Sequence, residues 1–239
     1  MGNTSSLKSH MSNAERTGVF QLTKTSLTEF PSDLSKLSPN LRTLDLSYNK
    51  MRSIPPLIGH FQHLKSLSLN SNRLVSLPAE ISQLTRLEVL SLNDNLLKQL
   101  PPSMASLANL RTVQLANNQL QTFPTVFLHL KHLDFLDLSR NHITEVPDDV
   151  KSLFVSELNL NQNQISVVSD AIAECPKLKV LRLDENCLQL SAITENMLKN
   201  SKISLLAVDG NLFELKDLHH LNGYESYMER YTATKKKIM

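Results

Sequence analysis

Few side chains in this sequence stand at spacings that could do chemistry, and each leads to a bounded expectation. Met1-Gly2-Asn3-Thr4-Ser5-Ser6 fits the pattern in which Met1 is removed and the Gly2 amine forms an amide with myristate. The small polar residues after Gly2 favour that reading. His60 with His63, and His129 with His132, repeat an i, i+3 spacing that metal ligands also use. The two pairs lie 69 residues apart, three turns of a 23-residue repeat. At strand spacing that is about 14 Å, too far to share an ion, so no metal is expected. Cys175 and Cys187 are too few for a disulfide framework and lack metal-ligand spacing. Neither has the paired His and orienting group that a nucleophile needs. The five glycines are scattered, which leaves no phosphate-cradling loop. Lys235-Lys236-Lys237 reads either as a solvated tail or as a contact to anionic lipid, though three lysines fall short of the cluster usual for lipid recognition.

What positions these residues is a repeat. Leu64-Lys65-Ser66-Leu67-Ser68-Leu69-Asn70-Ser71-Asn72-Arg73-Leu74 returns as Leu87-Glu88-Val89-Leu90-Ser91-Leu92-Asn93-Asp94-Asn95-Leu96-Leu97. The same frame starts at Leu41, Leu110, Leu133, Val155, Leu178 and Ile203. It closes on Asn49, Asn72, Asn95, Asn118, Asn141, Asn163, Asn186 and Asn211, in steps of 23, 23, 23, 23, 22, 23 and 25. A degenerate first turn places Phe20, Leu22 and Leu27 in register, with Thr25 where Asn belongs. Period-two alternation around Leu67 and Leu69 predicts a short strand with one face buried. No single turn can bury that face alone, so turns must stack into a parallel sheet. Each Asn leaves the strand and turns inward, where its amide can satisfy buried backbone groups on adjacent turns. Pro55, Pro78, Pro101, Pro124 and Pro147 fix φ on the return, where no ladder hydrogen bond is required.

The pattern L-x-x-L-x-L-x-x-N-x-L resembles the leucine-rich-repeat superfamily, over nearly the whole chain. Second halves such as Leu77-Pro78-Ala79-Glu80-Ile81 resemble its intracellular class, and the cysteine-rich caps of secreted members are missing. The resemblance implies an α/β repeat solenoid: a curved horseshoe with a concave parallel β-sheet, an irregular or 3-10 convex side and a helical C-terminal cap. Outside the generic repeat, Thr17–Leu22, Leu181–Leu188 and Gly223–Lys237 resemble one small vertebrate-type member of that class. That likeness implies a myristoylated, membrane-associated repeat protein without a defined activity, and it supplies no partner.

Composition sets the remaining limits. Against 25 basic residues stand 23 acidic ones, a balance that argues against a nucleic-acid partner. No apolar run reaches the roughly 18 residues that span a bilayer. With no hydrophobic signal region and two cysteines, the expected compartment is reducing and intracellular, which leaves the Asn3-Thr4-Ser5 sequon silent. Residues 1–16 are expected as an arm that carries the acylation motif and can form a short helix, with Ser12 and Glu15 spaced as a capping box. Residues 17–213 would form the solenoid of about nine turns. Residues 214–239 would be a cap, with Tyr224, Tyr227, Met228 and Tyr231 packed on the final turn rather than facing a partner, and with a mobile basic tail from Thr232. Cys175 shares the frame position of Leu84, Leu107, Leu130 and Leu153, so it belongs in the core. Cys187 should be exposed.

The functional surface is then the concave sheet. Its outward stripes begin at Thr43, Asp45 and Ser47 and recur with the repeat. Small polar residues prevail, which suits an extended protein partner. Tyr48, Val89, Gln114, Phe135, Asp137, Arg140, Glu157, Arg182 and Asp184 are the candidate contacts. Phe135 reads either as a hot spot flanked by Asp137 and Arg140 or as an ordinary isolated surface apolar. The expected molecule is a non-enzymatic, monomeric interaction scaffold without cofactor, held at the cytoplasmic face of a membrane through Gly2. The alternative is a soluble cytosolic adaptor or regulatory subunit without a lipid anchor.

Overall fold

The computed structural model describes residues 2–236, with side chains from His10 onward. The chain falls into two compact units, Met1–Gln119 and Leu120–Met239. In the first, helix α1 (Gly2–Thr17) leads into strands β1 (Val19–Gln21), β2 (Thr43–Asp45), β3 (Ser66–Ser68), β4 (Val89–Ser91) and β5 (Thr112–Gln114). The strands pair in parallel, with Phe20, Leu44, Leu67, Leu90 and Val113 in one register row. Every residue of that row is fully buried, and its neighbours along each strand, buried Ser91 apart, are half-buried or exposed. This is the period-two pattern carried into three dimensions. The chain returns through 3-10 segments Ser32–Leu37, Pro56–His60, Ala79–Gln83 and Pro102–Ser106. Pro55, Pro78 and Pro101 precede the last three at φ −73°, −71° and −62°, close to the angle the pyrrolidine ring imposes. Ile58, Ile81 and Met104 drop from these returns into the core.

The N-terminal segment is helical, and it differs from expectation in the place of the Ser12–Glu15 spacing. It is one helix to Thr17, so Ser12 and Glu15 lie in its interior rather than at a capping box. The Ser-x-x-Glu spacing fits a helix interior as readily as a helix start. Buried Ala14 and the His10 ring, edge-on to Phe20 at 6.3 Å, seat the helix on the first rung. Gly18 makes the corner at φ +72°, where a Cβ would stand 3.0 Å from the Asn40 carbonyl.

In the second unit β6 (Phe135–Asp137), β8 (Glu157–Asn159), β10 (Val180–Arg182) and β11 (Leu205–Ala207) pair in parallel. Two short strands, β7 (Glu145–Val146) and β9 (Val167–Val168), form a second small sheet between them in the chain. The returns are 3-10 segments Thr125–Phe127, Asp148–Ser152, Asp170–Glu174 and Leu190–Ala192. The 25-residue step between Asn186 and Asn211 accommodates a further element, helix α2 (Glu195–Lys199), capped by the Thr194 hydroxyl. After the 3-10 segment Leu215–His220, helix α3 (Tyr224–Lys235) covers the last rung. The tail expected to be mobile from Thr232 is therefore helical through Lys235, whose ammonium lies 4.7 Å from the Tyr231 ring centroid. Lys237 lies outside the described residues.

Two polar side chains fix that cover. The Leu206 amide on β11 donates to the Tyr227 hydroxyl at 3.1 Å. Arg230 donates to the carbonyls of Ile203 (2.9 Å), Leu198 (2.5 Å), Lys199 (3.3 Å) and Ser226 (3.1 Å). It thereby caps the C-terminus of α2, where unpaired carbonyls favour a cation.

Candidate protein-binding face

From the second turn on, each repeat closes on an asparagine whose amide is hydrogen-bonded within the structure. Asn118 Nδ2 donates to Leu92 O, Leu115 O and Ala116 O at 3.0, 3.1 and 3.3 Å, while its Oδ1 accepts from Leu97 N at 3.1 Å. Asn186 repeats the arrangement with Leu160, Leu183, Asp184 and Ile165. Asn49, Asn72, Asn95, Asn141 and Asn163 are equally buried, and Asn211 is half-buried. Asn49 also accepts from Thr25 N and Leu27 N, so its carbonyl serves the first turn, which has no Asn of its own.

A second ladder escaped the sequence reading. Along the outward stripe of the first unit, Asn70 N donates to Ser47 Oγ, Asn93 N to Asn70 Oδ1 and Ala116 N to Asn93 Oδ1. In the second unit Asp184 N donates to Asn161 Oδ1, and Asp209 N to Asp184 Oδ1. The signal was present as recurring Ser, Asn and Asp at one frame position. Small and polar, those residues look like an open contact surface until their backbone partners are seen. A third row, one residue before each ladder Asn, adopts positive φ: Tyr48 59°, Ser71 52°, Asp94 57° and Asn117 54°, then Arg140 55°, Gln162 57° and Glu185 54°. Non-glycine residues visit this region at a cost, and a tyrosine there is unusual.

These ladders sort the candidate contacts. In the first unit Tyr48 is 56% exposed, with the Lys24 ammonium 5.3 Å from its ring centroid. Val89 is half-buried on β4, and Gln114 Oε1 accepts from the buried Ser91 hydroxyl at 2.8 Å. In the second unit Asp137 and Asp184 carry hydrogen bonds within the sheet. Asp137 Oδ1 accepts from Ser139 N and Oγ at 3.0 and 2.7 Å, and Asp184 takes Asn161 Nδ2 on its other oxygen at 3.0 Å. Arg140 donates through Nε to Gln162 Oε1 at 2.5 Å. Phe135 is half-buried beside its register partner Glu157, whose carboxylate pairs with Arg182 Nε at 2.9 Å. Phe135, Glu157 and Arg182 thus form one connected patch on the sheet face of that unit.

The cysteines and histidines occupy contrasting positions. Cys175 is 3% exposed, its thiol donating to Val150 O at 3.1 Å, and burial, with Glu174 nearby, pushes its pKa up to about 12. Cys187 is exposed. His63 Nδ1 lies 3.1 Å from Arg86 on the next rung, and His60, His129 and His132 are exposed. Among the described residues no group of three His, Cys, Asp or Glu could hold a metal ion. None of their helices is long and apolar enough to cross a membrane. An open polar groove of about 550 Å³ lies against α2 and α3, lined in part by Glu195 and Lys199, which pair with each other at 3.3 Å.

The family described as leucine rich repeat matches residues 62–120 and 85–143, and a two-copy leucine-rich-repeat family matches residues 39–80. The chain is a leucine-rich-repeat protein. Solved leucine-rich-repeat structures share its fold. An internalin (inlF) from Listeria monocytogenes aligns at TM-score 0.73 and 23% identity, over 86% of this chain and 58% of its own. The leucine-rich-repeat ectodomain of the plant membrane receptor kinase GASSHO1/SCHENGEN3 from Arabidopsis thaliana, in complex with CASPARIAN STRIP INTEGRITY FACTOR 2, aligns at 0.69 and 27%, over 85% and 26%. The plant peptide hormone receptor RGFR1, in complex with RGF2, aligns at 0.66 and 24%, over 81% and 32%. The chain therefore spans less than two thirds of each of these proteins.

Proposed function

We propose that this leucine-rich-repeat protein is a non-enzymatic scaffold that takes an extended protein segment on its sheet face and is tethered to a cytoplasmic leaflet by myristate on Gly2. The observation that carries the first half is the connected patch of Phe135, Glu157 and Arg182 on a sheet whose backbone the two ladders hold in place. A rigid face with an aromatic and a charged pair is suited to binding, because little conformational freedom is lost there on association. The plant receptors that share the fold are described in complex with CASPARIAN STRIP INTEGRITY FACTOR 2 and with RGF2, which supports a protein ligand for this class of surface. The Gly2 motif supports the second half.

Phe135→Ala tests the binding half. The ring is half-buried, so truncation should lower stability by no more than about 1–2 kcal/mol. The variant should remain folded yet lose a protein that the parent captures from cells. An unchanged set of captured proteins would move the binding site elsewhere. For the tether, protein from eukaryotic cells should carry about 210 Da of added acyl mass, absent in Gly2→Ala, and the variant should shift from the membrane fraction to the cytosol. A parent without that increment would leave a soluble adaptor.

A further inference from the structure

A single myristoyl chain binds membranes only marginally, with a constant of about 10⁴ per molar, so stable attachment needs a second signal. Charge is unevenly divided along this chain. Through Gln119 it holds 12 Lys and Arg against 7 Asp and Glu, and beyond it 13 against 16. In the first unit four of those 12 cations share one flank. Immediately after the ladder asparagines come Lys50, Arg73 and Leu96, and two residues further on come Arg52, Val75 and Lys98. All six are exposed, Val75 by 53% and Leu96 by 39%, while Met51, Leu74 and Leu97 between them are buried. Backbone bonds hold the rows in step: Arg73 N to Met51 O at 2.9 Å, Val75 N to Arg52 O at 3.3 Å and Leu96 N to Leu74 O at 2.9 Å. With rungs about 4.8 Å apart and two residues spanning about 6.6 Å, four cations and two aliphatic side chains share a patch of roughly 10 by 7 Å.

None of these four cations forms an ion pair among the described residues. The carboxylates nearest in the frame are Glu29, one rung earlier, and Asp94, which is engaged by Ser71 and Asn117. The opposite flank differs. There Arg42, Lys65 and Arg111 recur at one position, but Glu88 sits among them and pairs with Lys65 at 2.9 Å and Arg111 at 3.7 Å.

We propose that the flank formed by Lys50, Arg52, Arg73, Val75, Leu96 and Lys98 lies on an anionic leaflet and supplies the second attachment signal. The proposal rests on the reading that Gly2 is acylated. Acyl chain and flank then belong to the same unit, since helix α1 starts at Gly2 and is anchored at Ala14 on the first rung. Headgroup phosphates and carboxylates demand charge rather than a fixed geometry, and long cationic side chains can spread to meet them while Val75 and Leu96 enter the headgroup boundary. Six side chains fall far short of the roughly 800 Å² per partner of a stable protein interface, which favours a lipid surface over an acidic protein. Each cation near such a surface strengthens binding about fivefold, so removing all four should weaken it by at least about a hundredfold.

The test uses the full chain, acylated by a co-expressed N-myristoyltransferase and in unacylated form, sedimented with phosphatidylcholine vesicles with or without phosphatidylserine. Lys50→Gln, Arg52→Gln, Arg73→Gln and Lys98→Gln combined should abolish the preference for phosphatidylserine in both forms and leave binding to pure phosphatidylcholine unchanged. Arg42→Gln, Lys65→Gln and Arg111→Gln combined should keep the preference, and unchanged melting curves would certify both folds. Equal binding by the four-site variant and the parent overturns the proposal, as does an equal loss in the opposite-flank variant. Loss of capture on an acidic-peptide resin, without loss on vesicles, overturns it in favour of a protein ligand. A missing acyl mass in cells, with the unacylated protein still distinguishing phosphatidylserine through these four residues, overturns the acylation reading and leaves the flank in place.

Discussion

Asn118 and Asn186 each hold buried backbone groups on two consecutive rungs, which makes them costly to replace. Asn118→Ala and Asn186→Ala should each destabilise by about 1–3 kcal/mol, read from denaturant melts. Asn118→Asp should do at least as much damage, because it replaces a two-hydrogen donor with an acceptor that faces three carbonyls. Melts that overlay the parent would contradict the ladder. The buried thiol gives a second check. Burial raises Cys175 to about 12, so its neutral form is favoured by folding. Stability from it is fully present below the unfolded value of about 8.5 and is lost as pH rises toward 12. Tyr227 is also raised, chiefly by burial, and loses its contribution above about pH 10. The urea midpoint should therefore fall across this alkaline range, and the fall should shrink in Cys175→Ala. In the native protein a maleimide should modify Cys187 alone.

At the scale of elements, the strands and returns were legible because each rests on a local period. Leu67 and its equivalents alternate with polar neighbours, and the prolines mark the returns at fixed offsets. The capping elements were less legible, because their positions depend on what the last rung leaves open. Arg230 reads as an ordinary surface cation in a helical segment until the α2 carbonyls it caps are in place. Helix α2 itself left only a longer step between asparagines. The cap now makes a firm prediction. Arg230→Met removes one guanidinium from four carbonyls and should destabilise by about 2–3 kcal/mol, and Tyr227→Phe by about 1 kcal/mol. Hydrogen exchange should quicken first at Leu205–Ala207 and Glu195–Lys199, while β6 and β8 stay protected. Uniform loss of protection would mean that the cap does not act locally.

At the scale of the whole molecule, the repeat identified the fold, but it blurred the site. Recurring Ser, Asn and Asp gave the sheet its open, polar look, and the second ladder uses several of them internally. Asp184 takes part in that ladder and Asp137 holds Ser139 two residues on, whereas Phe135, Glu157 and Arg182 share one patch. Which of two identical-looking polar residues meets a partner depends on hydrogen bonds between turns 23 residues apart, and no local pattern carries that. The decisive question is whether the sheet face meets a protein. Site-specific crosslinking in cells asks this directly, with a photoreactive phenylalanine replacing Phe135, Val180 on the same face, or Glu174 on an exposed return. Positions 135 and 180 should give the same discrete protein adduct, and 174 none. An adduct from 174 alone, or equally from all three positions, would contradict a sheet-face contact.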